Sequence, residues 1–291
     1  MSLVPFLLVI AAALIHATWN LLAKRAASAG AAFLFVSNVI ACTAYLPWVI
    51  WLLATREQIW TWPVALCLVA SAGIHLCYSL CLMRGYQVAD LSVVYPIARG
   101  SGPLMSSIGA FLLLQEAPTS LGVLGLVAVV IGIGCISTQG NLAAFRQPKG
   151  QEGVRWGFAT GSLIASYTVV DGYGVKLLGI HPVVLDWFSN FIRFFMLAPL
   201  VLRNPAQAKK SMLGYWWLAI GVGLLSPLSY ILVLTAVDMG APLSLVAPAR
   251  EMSMMIGAIF GMMILREPVN SWRVAGCAAI IAGVVLLGAA R

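Results

Sequence analysis

Six ionisable side chains occur within long apolar stretches of this 291-residue sequence. Three are arginines and three are acids: Arg99, Asp171, Asp186, Arg193, Arg250 and Glu251. An unpaired charge in hydrocarbon costs roughly 2.5–3.5 kcal/mol on insertion scales, so we expect these groups to pair across a cavity between helices. An arginine there can bind a carboxylate or phosphonate through two parallel hydrogen bonds, and an acid can bind an ammonium. The set therefore predicts a buried site for a small charged molecule.

Arg99 lies in the stretch VVYPIARGSGP, and the stretch LVAPAREMS later in the chain repeats its proline and arginine. A proline inside a helix leaves the carbonyl four residues earlier without its usual donor. Freed carbonyls at membrane depth are tolerated where they line a cavity or receive a side-chain donor. We therefore predict helix breaks or hinges beside the cavity at three prolines: Pro96, Pro103 and Pro248. A packing kink is the alternative at each of them.

Uncharged polar and aromatic side chains supply the other candidate wall residues. They are spread over several apolar segments: His16, Trp19, Asn20, Asn38, His75, Tyr78, Tyr95, Asn190 and Tyr230. Alone, each one is equally compatible with an interhelical hydrogen bond of about 0.6 kcal/mol. Asp186 and Arg193 lie seven residues apart with Asn190 between them, on one helical stripe. We predict that this stripe is structural and satisfies itself locally.

The composition is that of a membrane protein with many spans. Hydrophobic residues make up 62% of the chain and charged residues 9%, whereas soluble domains carry about 25% charged residues. Ten segments are long enough to span a bilayer: 3–23, 31–53, 63–83, 92–114, 119–139, 154–175, 183–202, 214–236, 243–265 and 272–290. No basic run is longer than two residues, which argues against a nucleic-acid partner. The six cysteines form no CxxC pair, and we predict neither a metal nor a cofactor.

The chain contains an internal repeat. Residues 1–139 and 154–291 form two halves of five segments, joined by a polar linker at 140–153. An offset of 152 residues pairs FVSNVI with WFSNFI, and it also pairs Tyr78 with Tyr230, Pro96 with Pro248, and Arg99 with Glu251. An odd number of spans per half gives the halves opposite orientations. The sequence therefore predicts an all-α membrane protein of ten transmembrane helices, built as two five-helix inverted-topology repeats.

Two consequences follow for the contacts between the halves. Repeat mates near the pseudo-two-fold axis should meet, so we hypothesise that Arg99 contacts Glu251 or shares a ligand with it. The fifth and tenth segments carry matched glycines at an offset of 151, and these predict a packing surface. Gly257 and Gly261 form a GxxxG pattern, which predicts close packing as well.

The motifs resemble those of a known family. The five-plus-five plan, the start ALIHATWNLLAK, the turns QEAP (115–118) and REP (266–268), and the glycine-rich closing helices resemble the drug/metabolite transporter superfamily. Within it, the chain is similar to EamA-type ten-helix transporters over essentially its whole length. The resemblance implies a carrier whose two termini are cytoplasmic, and many such proteins export amino acids or related metabolites.

The expected function is secondary transport of a small polar or zwitterionic metabolite by alternating access, with export as the expected direction and proton coupling as a further hypothesis. Uptake or flipping of an organic anion such as a phosphonate, or of a sugar-lipid or nucleotide sugar, is the alternative. We find no HExxH, GxSxG or nucleotide-binding loop, so an enzyme is not expected. The expected partners are a small-molecule substrate and the lipid bilayer, and we expect a monomer or weak homodimer in the inner (plasma) membrane.

The charge distribution disagrees with the resemblance about orientation. The odd-numbered loops and their flanks hold eleven basic residues and the opposite side holds three. The positive-inside rule would place the odd-numbered loops in the cytoplasm, and therefore both termini outside. Lys24 and Arg25 are in this count, although they are also placed to lie at the mouth of a cavity.

Overall fold

The computed structural model describes residues 1–89, 91–264 and 270–290, and its regular secondary structure is helical. In chain order the helices are α1 (Leu3–Arg25), α2 (Gly30–Thr55), α3 (Trp62–Val88), α4 (Leu91–Leu113), α5 (Ser120–Thr138), α6 (Pro148–Lys176), α7 (Pro182–Leu202), α8 (Pro205–Ser211), α9 (Trp216–Asp238), α10 (Leu243–Arg250), α11 (Met252–Ile264) and α12 (Ser271–Ala289). The second turn motif, REP (266–268), and Arg291 lie outside the described residues, as does the side chain of Arg146, and only the backbone of Gly261 is described.

Helices occupy the positions of the predicted spans, but they are not equally apolar. Within the described part of the chain, eight helical segments are long and apolar enough to cross a membrane, and α10 with the start of α11 counts as one of them. Neither α4 nor α6 is among the eight. α4 carries two prolines and Arg99, and α6 begins with the polar sequence PKGQEG. A helical protein with many spans is confirmed, whereas the count of ten remains a prediction.

The outer surface of the bundle is apolar. Large side chains that face away from the protein include Leu66, Leu200 and Trp217, which are 65%, 61% and 82% exposed. Most soluble proteins do not expose apolar patches on this scale, whereas hydrocarbon chains would cover them without cost. The protein is therefore a multi-pass membrane protein.

The ninth predicted span is divided near Pro248. α10 ends at Arg250 and α11 begins at Met252, with Glu251 in a turn between them. The Ser107 hydroxyl donates to the Ser244 carbonyl at 3.1 Å, which is the carbonyl that Pro248 deprives of its helical donor. The predicted helix break beside Pro248 is confirmed.

Neither Pro96 nor Pro103 breaks the helix, because α4 runs from Leu91 to Leu113 without interruption, and a hinge at either proline stays a prediction. α4 packs along α6 at close range. A Cβ atom on Gly157 of α6 would lie 2.9 Å from the Val94 carbonyl oxygen. The backbone of α6 therefore lies directly against α4 on both sides of Pro96.

The two halves are related by a reciprocal antiparallel contact. A Cβ on Gly125 would lie 2.8 Å from the Gly283 carbonyl, and a Cβ on Gly132 would lie 2.7 Å from the Gly276 carbonyl. Gly276 and Gly283 are the repeat mates of Gly125 and Gly132, so each contact is the image of the other. The predicted packing surface on α5 and α12 is confirmed, and its reciprocity is what a two-fold axis between the halves requires.

The helices alternate in direction and so define two ends of the bundle. End A contains the N-terminus and residues 56–61, 114–119, 177–181 and 239–242. End B contains residues 26–29, 139–147 and 203–215, which connect the opposite helix termini.

Candidate functional site

A cavity of about 350 Å³ lies at the centre of the bundle, between α1, α2, α3, α4, α6, α7, α9 and α10. We call it the central cavity. Its charged and aromatic wall includes most of the predicted site residues: His16, Trp19, Asn20, Asn38, His75, Tyr78, Arg99, Asn190, Tyr230 and Arg250, together with Asp186 and Arg193. The helices that carry the predicted polar side chains therefore face one cavity. No residue of α5 or α12 lines it.

Two arginines share one buried acid beside this cavity. Arg99 Nη1 donates to Glu251 Oε1 at 3.3 Å, and Arg250 Nη2 lies 3.7 Å from the same oxygen. The predicted contact between the repeat mates Arg99 and Glu251 is confirmed. Glu251 is fully buried, in the turn that divides α10 from α11. One carboxylate therefore balances two guanidinium groups, and the local surplus is positive.

Arg250 is the less satisfied member of this group. It makes no hydrogen bond to any described residue, and its Nε is buried without a partner there. Leaving a buried charged donor unpaired costs more than leaving a neutral one. A bound anion would supply the acceptor that Arg250 lacks.

His16 and Trp19 position Arg99 from the side of α1. Arg99 Nη2 lies 3.1 Å from His16 Nε2. Because a guanidinium only donates, His16 Nε2 must be the acceptor, and its proton is then on Nδ1. The Trp19 indole packs edge-on against the His16 ring and donates to Ser229 Oγ at 3.2 Å. Arg99 also lies 5.6 Å from the centre of the Tyr95 ring, within cation–π range.

The predicted stripe on α7 is linked through Asn190. Asn190 Nδ2 donates to Asp186 Oδ2 at 2.9 Å, and Arg193 Nη2 donates to Asn190 Oδ1 at 2.7 Å. Asn38, the repeat mate of Asn190, donates to the same Oδ1 at 3.1 Å. The local satisfaction of the stripe is confirmed. However, Asp186 and Arg193 also line the central cavity, so they are not confined to packing.

Aromatic rings form one side of the cavity. The His75 ring stacks on Tyr167 at 3.9 Å, and Tyr78 and Tyr230 pack edge-on against Tyr167. His75 Nδ1 donates to the Ser71 carbonyl at 2.9 Å, which fixes the ring. Tyr167 lies one helical turn before Asp171, on the same face of α6, and this spacing already indicates from the sequence that it could face the cavity.

Two predicted acids do not reach the central cavity. Asp171 and Glu251 are both fully buried and lie outside its lining. Asp171 accepts a hydrogen bond from the Tyr230 hydroxyl at 2.5 Å, and Glu251 lies behind the two arginines. Direct binding of a substrate ammonium by either acid therefore stays a prediction, because neither acid lines the cavity in this structure. Each supports a wall residue, and Asp186 is the acid on the wall. Tyr95, also predicted for this site, faces a different cavity.

A separate charged contact closes end A. Glu116, in the connection between α4 and α5, accepts from Lys176 Nζ at 2.5 Å and from the backbone N–H groups of Leu243 and Ser244 at 2.7 and 2.9 Å. We call this contact the end-A latch. Burial alone would raise the pKa of Glu116, but its hydrogen bonds to Lys176, Ser244 and Leu243 lower it below the usual 4.5. No sequence pattern indicated this role, because α10 begins 127 residues away from Glu116.

Comparison with known proteins agrees with this architecture. The EamA-like transporter family matches the chain twice, over residues 3–138 and 151–289. Among curated proteins, none matches. A solved structure described as "Crystal structure of protein" is similar with a TM-score of 0.75 and 15% identity, covering 98% of each chain. At that identity the likeness concerns the fold alone. The two family matches span almost the entire sequence, and the chain belongs to the EamA-like transporter family of membrane transporters.

Proposed function

We propose that this protein transports a small zwitterionic metabolite, such as an amino acid or a related compound, through the central cavity. Arg250 is the observation that carries the proposal, because it is a buried guanidinium on the cavity wall with no hydrogen bond to any described residue. Arg250 and Arg99 bind the carboxylate of the substrate. Asp186 is the acid on the same wall and binds its ammonium group, while Tyr78, Tyr167 and Tyr230 cover the apolar part.

The transport mechanism that fits this arrangement is alternating access between inverted repeats of five helices each, 1–139 and 154–291, joined by residues 140–153. Reciprocal contacts on α5 and α12, together with the mate pairs Asn38–Asn190 and Arg99–Glu251, support this symmetry. The substrate site then lies where the repeats meet, as in other carriers of this kind. α4 and α6 complete the ten spans, because their polar faces are turned inward. The expected direction is export across an inner (plasma) membrane.

An organic anion such as a phosphonate is the second candidate substrate. The wall of the central cavity carries three arginines and, among the described residues, one acid. A ligand with two negative charges and no ammonium would suit this imbalance better than a zwitterion does. Arg193, held by Asn190, is the third cation that such a ligand would engage.

Ligand-induced stabilisation of the purified protein tests the proposal. A ligand at 100 times its dissociation constant stabilises by about 2.7 kcal/mol, so melting temperature is a sensitive readout. We expect stabilisation by amino acids or phosphonates, and its loss in Arg250→Gln. Arg84→Gln is the matched control, because Arg84 is exposed at the end-B part of α3. If amino acids, amines, phosphonates and nucleotide sugars all fail to stabilise the wild-type protein, the proposal is wrong.

Proton coupling is tested separately in proteoliposomes. His16 and His75 both line the central cavity. Histidine is the side chain that most readily takes up and releases a proton near neutral pH, so these two residues are the candidate proton carriers. Proton-coupled transport should respond to an imposed pH gradient of either sign. Transport at the same rate with and without the gradient would exclude the coupling and leave the substrate assignment intact.

A further inference from the structure

A second cavity, of about 470 Å³, lies beside the central one, between α1, α4, α5, α11 and α12. We call it the vestibule. It reaches Lys24 in the last turn of α1 and Arg273 in the first turn of α12, so it extends to end B. Its apolar wall includes Leu21, Met254 and Phe260.

Among the described residues, the charged side chains that line the vestibule are all basic. Lys24, Arg99 and Arg273 line it, and none of the acids in the described part of the chain does. A concave surface with low-dielectric walls concentrates the field of such charges and raises the local concentration of anions. We propose that the vestibule is a second anion-binding site, where the carboxylate or phosphonate of the transported molecule is held before it reaches the central cavity. This inference rests on the proposed function.

Arg99 connects the two cavities. Arg99, His16 and Asn20 each line both the vestibule and the central cavity. The Arg99 guanidinium is held between Glu251 and His16, at 3.3 and 3.1 Å, and so forms part of the partition. His16 lies eight residues before Lys24 on α1, or about 12 Å along the helix. An anion arriving from end B therefore meets Lys24 first, Arg99 next and Arg250 last.

The interior of the vestibule is suited to a ligand rather than to helix packing. Gly257 lines it, and a Cβ added there would have no atom of the described residues within 4 Å, so Gly257 makes no close packing contact with that part of the chain. Ser137 also lines it, and the Ser137 hydroxyl is buried without a partner among the described residues. A buried hydroxyl without a partner is costly unless a ligand or water completes it.

Filling the vestibule is the direct test. Gly257→Leu places a side chain in the open space, while Gly134→Leu is the matched control on α5, because Gly134 also has nothing within 4 Å and does not line the vestibule. The probe is L-phenylalanine or phenylphosphonate, whichever the wild-type protein carries in proteoliposomes. We expect Gly257→Leu to lower the transport rate by about tenfold or more, and Gly134→Leu to leave it unchanged.

Removing the charge at the mouth gives an independent readout. Lys24→Gln should raise the KM for the anionic probe by about fivefold with little change in kcat, and the increase should shrink at high salt. Arg25→Gln is the control, since Arg25 is the exposed neighbour of Lys24 and does not line the vestibule. An unchanged KM in Lys24→Gln together with full transport by Gly257→Leu would overturn the inference while leaving the proposed function standing.

Two further outcomes matter. One distinguishes failure of the proposed transport function from failure of the vestibule site, and the other distinguishes a transported anion from a lipid headgroup. If the wild-type protein carries neither probe and none of the compounds in the stabilisation screen stabilises it, the proposed function fails and the inference falls with it. Nanodiscs with and without anionic lipid distinguish a transported anion from a lipid headgroup. If anionic lipid abolishes probe binding in wild type and not in Lys24→Gln, the vestibule holds a lipid and the assignment to the transported molecule is wrong.

Discussion

Glu251 is the residue on which the charges of the central cavity depend. Its carboxylate lies 3.3 Å from Arg99 and 3.7 Å from Arg250, and it is fully buried. The inverted repeat places it opposite Arg99, since the two are mates at an offset of 152 residues. A two-fold arrangement of identical residues would have brought two like charges together. The exchange of arginine for glutamate in one half removes that repulsion and leaves Arg250 available to a ligand.

Glu251→Gln should be strongly destabilising, because it leaves two guanidinium groups buried without a counter-charge. Removing one partner of a buried pair costs about 3–5 kcal/mol. Thermal unfolding in detergent should therefore show a markedly lower melting temperature for Glu251→Gln than for wild type. The double variant Arg99→Gln with Glu251→Gln should unfold at a higher temperature than Glu251→Gln alone, because one unpaired cation has been removed. A double variant no more stable than the single one would contradict the pairing.

Residue types were easier to predict from the sequence than residue depth. The mate relation predicted the Arg99–Glu251 contact, because symmetry places equivalent points together. Spacing on α6 could not show that Asp171 stays behind Tyr230, since depth depends on how neighbouring helices are rotated. The same limit applies to Gly257, whose motif is identical whether a partner helix or a cavity faces it.

At the scale of helices, the contact between α5 and α12 fixes the two halves against each other. Gly132 has no room for a side chain, since an added Cβ would lie 2.6 Å from the Ile280 side chain and 2.7 Å from the Gly276 carbonyl. Two residues along the same helix, a Cβ added at Gly134 would have no atom of the described residues within 4 Å. Substitutions at Gly132 and Gly134 therefore distinguish the effect of helix propensity from the effect of packing against α12.

Gly132→Ala should destabilise the protein and Gly134→Ala should not. Overpacking costs about 1–3 kcal/mol, which exceeds the roughly 1 kcal/mol that alanine gains over glycine in a helix. Gly134→Ala gains the helix propensity of alanine without an overpacking cost. Melting temperatures of the two variants should therefore move in opposite directions from that of wild type. A shift of the same sign in both would show that α5 and α12 can separate enough to accept a methyl group.

The end-A latch links three elements that must separate if that end opens. Glu116→Gln removes the ionic contact with Lys176 and weakens the bonds to the first N–H groups of α10, at a cost of about 1.5–3 kcal/mol for charge-assisted hydrogen bonds. We expect faster hydrogen exchange at the amides of Leu243 and Ser244. Glu152→Gln is the control, because Glu152 is exposed near the end-B terminus of α6.

The latch also has an expected pH dependence. The folded-state pKa of Glu116 is lowered, so its stabilisation is complete above the usual pKa of 4.5 and is lost as pH falls through the lower folded-state value. The difference in exchange between wild type and Glu116→Gln should therefore persist at neutral and mildly acidic pH and disappear only in stronger acid. A difference that already vanished near pH 6 would mean that the carboxylate is not held as the latch requires.

Whether a proline breaks its helix could not be predicted from the local sequence alone. Pro248 and Pro96 are repeat mates, yet a break follows Pro248 and α4 continues past Pro96. At Pro248 the Ser107 hydroxyl satisfies the freed carbonyl, and beside Pro96 the backbone of α6 lies directly against α4. In both places the neighbour is distant in sequence.

At the scale of the whole molecule, the two ends of the bundle differ. The vestibule reaches end B at Lys24 and Arg273, and the central cavity shares Arg99 and His16 with it. End A carries the latch formed by Glu116. The described cavities therefore extend towards end B, which is also the end with most of the basic residues. The positive-inside rule places end B in the cytoplasm. The family resemblance instead places both termini in the cytoplasm, and the termini are at end A.

Labelling of introduced cysteines tests this picture of access as a whole. In a background without the six native cysteines, Ser226→Cys reports the central cavity, Lys24→Cys reports end B and Gln58→Cys reports end A. With a membrane-impermeant thiol reagent, Ser226→Cys should react from the same side of the membrane as Lys24→Cys, and the transported probe should protect it. Vesicles of known orientation then show which end is cytoplasmic and so decide between the charge rule and the resemblance. Reaction of Ser226→Cys from the side of Gln58→Cys would contradict an opening at end B, because the latch should block that route.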